Sequence, residues 1–197
     1  MSTDSEIIRR SRDDPGAFGD LYLRHAAAVH RYSWRRAGEA VADDVTAETF
    51  LVAFEKRERF DLSIDDAKPW LFGIATNLLH GHRRAEARRL KTAARAADPD
   101  IVDDHSVRAG DLIDAASTMR IVARTLRKMP TVDRDCLLLY LQGELTYEDI
   151  AHAMGIPIGT VRSRLNRARR VLRQATDLTD FETENEHGRA DTVPRNA

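Results

Sequence analysis

A chain of 197 residues with 42% hydrophobic content can form one ordinary domain or two small ones. Charged residues at 32% and aromatics at 6% suit a soluble, helix-rich protein, and the single Cys136, inside an apolar run, excludes an internal disulfide and reads as a buried structural thiol. The opening MSTDSEIIRRSRDD has no apolar core fit for a signal peptide, and the longest strictly apolar run, CLLLYL, is far short of a membrane span, so the expected location is the cytoplasm.

In chain order, helical periodicity comes first. In AFGDLYLRHAAAVHRY the residues Phe18, Leu21, Tyr22, His25, Val29 and Tyr32 fall at helix spacing. In DDVTAETFLVAFEK an apolar stripe is expected from Ala47, Phe50 and Phe54, with Asp44, Glu48 and Glu55 together on another face. A third helix, PWLFGIATNLLHGHRRAEARRL, opens with Pro69 where its missing N–H does no harm. From 93 to 115 large apolar residues become scarce and Pro99 and Gly110 interrupt the pattern, as in a flexible linker. Helicity returns at Met119, Val122, Leu126 and Met129, stops at Pro130, and resumes in DRDCLLLYLQ until Gly143. No stretch alternates at period two. The expected fold is all-α: two small helical domains, 10–92 and 116–176, a flexible linker between them, and an unstructured acidic tail over 177–197.

The formal net charge of −1 hides a strong pattern, since residues 177–197 alone carry −4. Thr146, with Asp149 three residues later, caps the short helix YEDIAHAM, Gly155 can end it in a left-handed conformation, and Pro157 prevents its continuation. In the helix that follows, Val161, Leu165, Ala168 and Leu172 share a buried face. Arg162, Ser163, Asn166, Arg167, Arg169, Arg170 and Arg173 must then point outward, with no acidic partner at helical spacing. Like charges so placed cost a few tenths of a kcal/mol per pair, roughly, which phosphates would offset and solvent alone would not. Two short helices about a tight turn form the helix-turn-helix arrangement that lays its second helix in the DNA major groove. Arg162, Ser163, Asn166 and Arg167, near the start of that helix, can reach base edges; Arg169, Arg170 and Arg173 suit phosphates.

On the third helix, Trp70, Asn77, Arg84 and Arg88 recur on one face, with His80, Arg83 and Arg89 as further donors. Basic groups there can follow phosphates while an amide or aromatic receives an unstacked base, although core packing is the better reading of Trp70. His80 and His82 are two apart and point to different sides of a helix, so no metal is expected. No nucleophile-base pair or phosphate loop stands out; the chain reads as a non-enzyme that needs no cofactor.

These stretches together resemble the sigma-70 superfamily of bacterial transcription initiation factors, specifically its extracytoplasmic-function (ECF) group. DDVTAETFLVAFEK is similar to region 2.2 of that family, AKPWLFGIATNLLHGHRR to regions 2.3 and 2.4, and LRKMPTVDRDCLLLYLQGELTYEDIAHAMGIPIGTVRSRLNRARRVLR to region 4. The resemblance implies a sigma factor that directs core RNA polymerase to specific promoters. Asp44 and Glu48 then match the positions that dock on the clamp helices of the beta-prime subunit, and region 4 would meet the beta flap. Phe60 to Lys68 and the third helix, through Asn77, His80, Arg83, Arg84 and Arg88, would recognise and melt the minus-10 element. Arg162, Ser163, Asn166 and Arg167 would read the minus-35 element. Relatives often carry Gln at the place of Ala47 and Asp at the place of Gly81. An anti-sigma factor is a common partner in the family, and the sequence leaves its existence open. The alternatives are a stand-alone helix-turn-helix transcriptional regulator, for which no dimerisation or ligand domain is apparent, and a module whose basic face binds an acidic protein.

Overall fold

The computed structural model describes residues 2–96 and 113–187, with side chains over 2–92 and 118–176. Every regular element among these residues is helical, in keeping with the all-α expectation. Helix α1 (Asp4–Asp13) leads through a 3-10 turn to α2 (Gly19–Ala37) and α3 (Glu39–Lys56); after the turn Arg57–Arg59 and an irregular stretch comes α4 (Lys68–Ala96). Then follow α5 (Ile113–Lys128), α6 (Thr131–Leu141), α7 (Tyr147–Met154) and α8 (Ile158–His187). Residues 97–112, most of the expected linker, lie outside the described residues. So do residues 188–197, but α8 itself continues past Asp177 into the stretch expected to lack structure.

Contacts divide the chain into two compact units, Met1–Ile101 with Leu138–Val161 and Val102–Leu137 with Arg162–Ala197. This grouping cuts across the boundaries expected from sequence, because α7 joins the first unit. Gly73 on α4 is the local reason: a Cβ there would lie 2.5 Å from the Ala153 carbonyl oxygen, so α7 approaches α4 more closely than any side chain would allow.

The first unit also contains α1, a helix that begins ahead of the expected boundary at residue 10. Thr3 and Glu6 form a reciprocal capping box at its start, and Ile7 and Ile8 are fully buried along it. Of the positions expected at helix spacing, Leu21, His25, Val29 and Tyr32 of α2 are buried, as is Phe18 in the turn before it, whereas Tyr22 is exposed; Tyr32 meets the Phe72 ring at 4.9 Å between centroids. Fully burying a side chain of that size contributes about 1.5–3 kcal/mol.

The expected stripe of α3 needs correction. Ala47 is exposed, and the buried face runs through Ala42, Val45, Thr46, Thr49, Phe50 and Ala53. Two threonines enter the core because each hydroxyl bonds back one turn, Thr46 to the Ala42 carbonyl at 2.7 Å and Thr49 to that of Val45 at 2.6 Å, so neither brings an unsatisfied polar group. In the second unit, Met129, Cys136, Leu137, Leu165 and Ala168 are buried, while Met119, expected on the inner face of α5, is exposed. Burial pushes the Cys136 thiol pKa up, only partly offset by a hydrogen bond from Arg164, which keeps the thiol protonated and structural.

Candidate nucleic-acid interface

Helix α7 starts at an N-cap where the Thr146 hydroxyl accepts from the Asp149 N–H at 3.2 Å, and the Asp149 carboxylate returns to the Thr146 N–H at 3.0 Å. It ends at Gly155, left-handed at φ 61° and ψ 39°, with the Ile156 N–H bonded to the Ala151 carbonyl at 3.0 Å. That Schellman-type closure and Pro157 stop one helix, and the Pro157 carbonyl accepts from Thr160 N–H at 2.8 Å to start the next. On α8, Val161, Leu165 and Ala168 are fully buried, and Arg162, Ser163, Asn166, Arg167, Arg170 and Arg173 are exposed; Arg169 is half-buried.

One of these arginines is engaged in a way the sequence does not announce. Arg167 Nη1 donates to both carboxylate oxygens of Asp133, at 3.1 and 3.3 Å, and the Asp133 side chain is 1% exposed. Asp133 lies in the first turn of α6, where the helix dipole favours its charge. The pair is separated by 34 residues, beyond any local pattern.

On α4 the exposed face carries Asn77, Arg84 and Arg88, as its spacing requires. His80 is half-buried, and Arg83 turns inward to donate to the Arg36 carbonyl at 3.2 Å, anchoring α4 to the end of α2. Trp70 stacks on the buried Phe60, centroids 4.9 Å apart, a packing role. The helix passes through Gly81 unbroken, where nothing lies within 4 Å of a would-be Cβ. An open groove of about 250 Å³ beside it brings Asn77 and His82 together with Glu48, whose carboxylate is 3.8 Å from His82 Nε2. Asp44 and Glu48 are both exposed on α3. Ala47, displaced from the core, lines a separate groove with Tyr22, His30 and Asp43.

The stretch ahead of α4 is structured by its own carboxylates. Asp61 accepts from the Ser63 N–H at 3.0 Å and its hydroxyl at 2.7 Å, bonds that hold the Asp61 pKa below its ordinary value. The one group of side chains with metal-like spacing among the described residues, Asp4, His25 and Asp66, is already occupied: Asp4 accepts from Arg24, from His25 and from the Ala67 N–H.

Comparison with known proteins accounts for both helices. The family model for Sigma-70 region 2 matches residues 21–89 and that for Sigma-70, region 4 matches residues 119–172. The ECF RNA polymerase sigma factor SigL of Mycobacterium tuberculosis is 34% identical over 155 residues, 78% of this chain and 85% of that protein. The chain belongs to the ECF sigma factor family. The ECF sigma factor BldN of Streptomyces coelicolor is 30% identical over 85% of this chain and 63% of that protein, and the ECF sigma-E factor of Salmonella typhimurium 29% over 86% and 92%. Among solved structures, CnrH in complex with the cytosolic domain of CnrY aligns with a TM-score of 0.61 at 24% identity, over 89% of this chain and 97% of that one. The sigma factor RpoE, co-crystallised with the anti-sigma factor NepR from Bartonella quintana, aligns at 0.58 with 24% identity, over 81% and 96%. These two share the fold. As an ECF sigma factor the protein directs RNA polymerase to promoters for transcription initiation, and no helix among its described residues is long and apolar enough to cross a membrane.

Proposed function

We infer that this sigma factor reads the minus-35 element with the start of α8 and opens the minus-10 element with α4 and the segment Phe60 to Lys68. The observation that carries the reading is the division of α8 into a fully buried apolar face and an exposed polar one, directly behind a left-handed glycine turn. Arg162, Ser163 and Asn166 are exposed where base edges would lie, and there Arg pairs with guanine and Asn with adenine. Arg167 contributes its remaining guanidinium donors while Asp133 holds it in place, and Arg169, Arg170 and Arg173 lie along the phosphates. On α4, Asn77, Arg84 and Arg88 meet the opened strand, with His80 and Arg83 behind them.

Asp44 and Glu48 form the docking face for the beta-prime clamp helices, and region 4 engages the beta flap. An anti-sigma factor is the regulatory partner of the same reading. The chain has no chemistry of its own to perform; the polymerase supplies it, in the cytoplasm.

The test is run-off transcription with bacterial core polymerase and a promoter library, with and without the chain. Selection of a two-element promoter that depends on both proteins is the expected result. Specific duplex binding by the chain alone, with no transcription, would instead identify a stand-alone helix-turn-helix regulator.

A further inference from the structure

The segment Phe60 to Lys68 contains no helix or strand before α4 opens at Lys68, yet α1 fastens it at both ends. At the near end, Arg12 Nη2 donates to the carbonyls of Arg57, Glu58 and Phe60 at 3.3, 3.1 and 3.4 Å, and Arg57 Nε returns to the Ser11 carbonyl at 3.2 Å. At the far end the bonds are reciprocal. The Asp4 N–H, one of the donors a helix start leaves unpaired, bonds to the Asp65 carbonyl at 3.0 Å, and the Asp4 carboxylate accepts from the Ala67 N–H at 2.9 Å. The Ser5 hydroxyl adds a bond to the Asp65 carboxylate at 2.9 Å.

Asp4 is itself locked. Its oxygens also accept from His25 Nε2 at 2.7 Å and from Arg24, and its side chain is 4% exposed. The capping box at Thr3 and the buried Ile7 and Ile8 fix α1 on the core, so the clamp is rigid at its base. Local bonds of Asp61 to Ser63 and of Asp66 to Lys68 shape the segment internally, but its placement on the core comes from its attachments, and reading a base to within hydrogen-bond distance requires side chains held to about 0.5 Å.

We propose that Asp4, with Ser5 and Arg12, positions the segment Phe60 to Lys68, so that α1 sets the base selectivity of minus-10 recognition without touching DNA. The proposal rests on the reading of that segment as the minus-10 loop. It makes Asp4 a positioning residue for a contact about sixty residues further along the chain.

The test uses holoenzyme reconstituted from the full chain and core polymerase. A labelled single-stranded oligonucleotide bearing the non-template minus-10 sequence of a promoter selected by the wild-type chain is titrated in, alongside versions changed at each minus-10 base. Asp4→Asn and Ser5→Ala should assemble with core polymerase as the wild type does, yet lose about tenfold in discrimination between matched and changed oligonucleotides, the effect of one charge-assisted hydrogen bond. Val29→Ala, which loosens the core through α2 and leaves α1 and its hydrogen bonds to the segment in place, should keep the wild-type ratio. If Asp4→Asn does not fold, Ser5→Ala decides alone. Wild-type discrimination in a folded Ser5→Ala protein would overturn the positioning role. Failure of the wild type itself to discriminate would overturn the reading of the loop beneath it.

Discussion

Arg162 and Arg167 are both exposed on α8, but their surroundings differ. Arg162 is exposed, whereas Arg167 is paired with an aspartate of 1% exposure. Arg162→Ala should therefore cost about 1 to 3 kcal/mol of promoter affinity, concentrated at one or two minus-35 positions, and leave the melting temperature unchanged. Arg167→Ala should weaken DNA binding and also lower stability by about 1 to 3 kcal/mol, because it leaves the Asp133 charge buried without its partner. Arg173→Ala should weaken all sequences alike. Binding isotherms on changed minus-35 sequences, paired with thermal melts, check all three. Asp4 supplies a pH dependence. Burial disfavours its charge, but hydrogen bonds from His25 and the Ala67 N–H, with the nearby His25 charge and Arg24, outweigh burial and hold its pKa below the ordinary value. A carboxyl lowered in the folded state contributes stability above its unfolded value, about 4, and loses it as pH falls through the folded value. Melting of the wild type against Asp4→Asn should show the gap between them close below about pH 4; a constant gap would remove the charge from the account. None of this was legible locally. The outward set on α8 followed from its 3.6-residue period, whereas the pairs Asp133–Arg167 and Asp4–Ala67 join residues 34 and 63 apart in sequence.

At the scale of elements, what could be read from sequence was what a local rule governs. The caps at Thr146 and Gly155, the start of α4 at Pro69 and the inner faces of α2 and α8 all rest on interactions within one or two turns. The capping box at Thr3 and Glu6 was equally local and signals α1, but the stretch is short and reads mainly as polar. The register of α3 was not legible, since its inner face mixes alanine and threonine with valine and phenylalanine, and back-bonded threonines mimic apolar residues without looking like them. Two glycines of α4 make the difference between local and tertiary demands measurable. Gly81 faces open space, so Gly81→Ala should gain up to about 1 kcal/mol from helix propensity. Gly73→Ala makes the same local change but places its methyl 2.5 Å from the backbone oxygen of Ala153, which α7 cannot accommodate without moving. It should destabilise, and hydrogen exchange should show faster opening of α7. Equal melting temperatures for the two variants would mean that α7 does not bear on Gly73.

For the whole molecule, the question is where its charges act. Residues 177–197 carry −4, and a tail of that charge could in principle shield the basic helix from DNA. Because α8 runs on to His187, its backbone carries the start of this acidic stretch along the helix axis, with Asp177 about 16 Å beyond Asn166 at about 1.5 Å per residue. From the base-reading residues that exceeds the screening length of about 8 Å at physiological salt, although Arg173 is only four residues from Asp177, so removing 177–197 should leave the discrimination between minus-35 sequences unchanged under those conditions. The acidic residues proposed to meet the polymerase lie instead on α3. Asp44 and Glu48 are one turn apart and exposed, off the buried face of Val45, Thr49 and Ala53, and Glu48 borders the groove that holds Asn77. Replacing both with lysine reverses charge at the proposed polymerase contact, where loss of a paired charge costs about 2 to 5 kcal/mol and like-charge repulsion adds to it. The core packing is untouched, and the added positive charge near α4 can only favour DNA. The double variant should therefore keep wild-type helicity and melting temperature and bind DNA at least as well at low salt, yet fail to co-purify with core polymerase or start transcription. Asp44→Lys alone, at a position that does not line the groove holding Asn77, should show the polymerase defect without the gain in DNA binding. A folded Asp44→Lys/Glu48→Lys protein that transcribes at the wild-type rate would remove this face of α3 from the polymerase contact, because a reversed pair of charges at a true interface leaves no route to normal assembly.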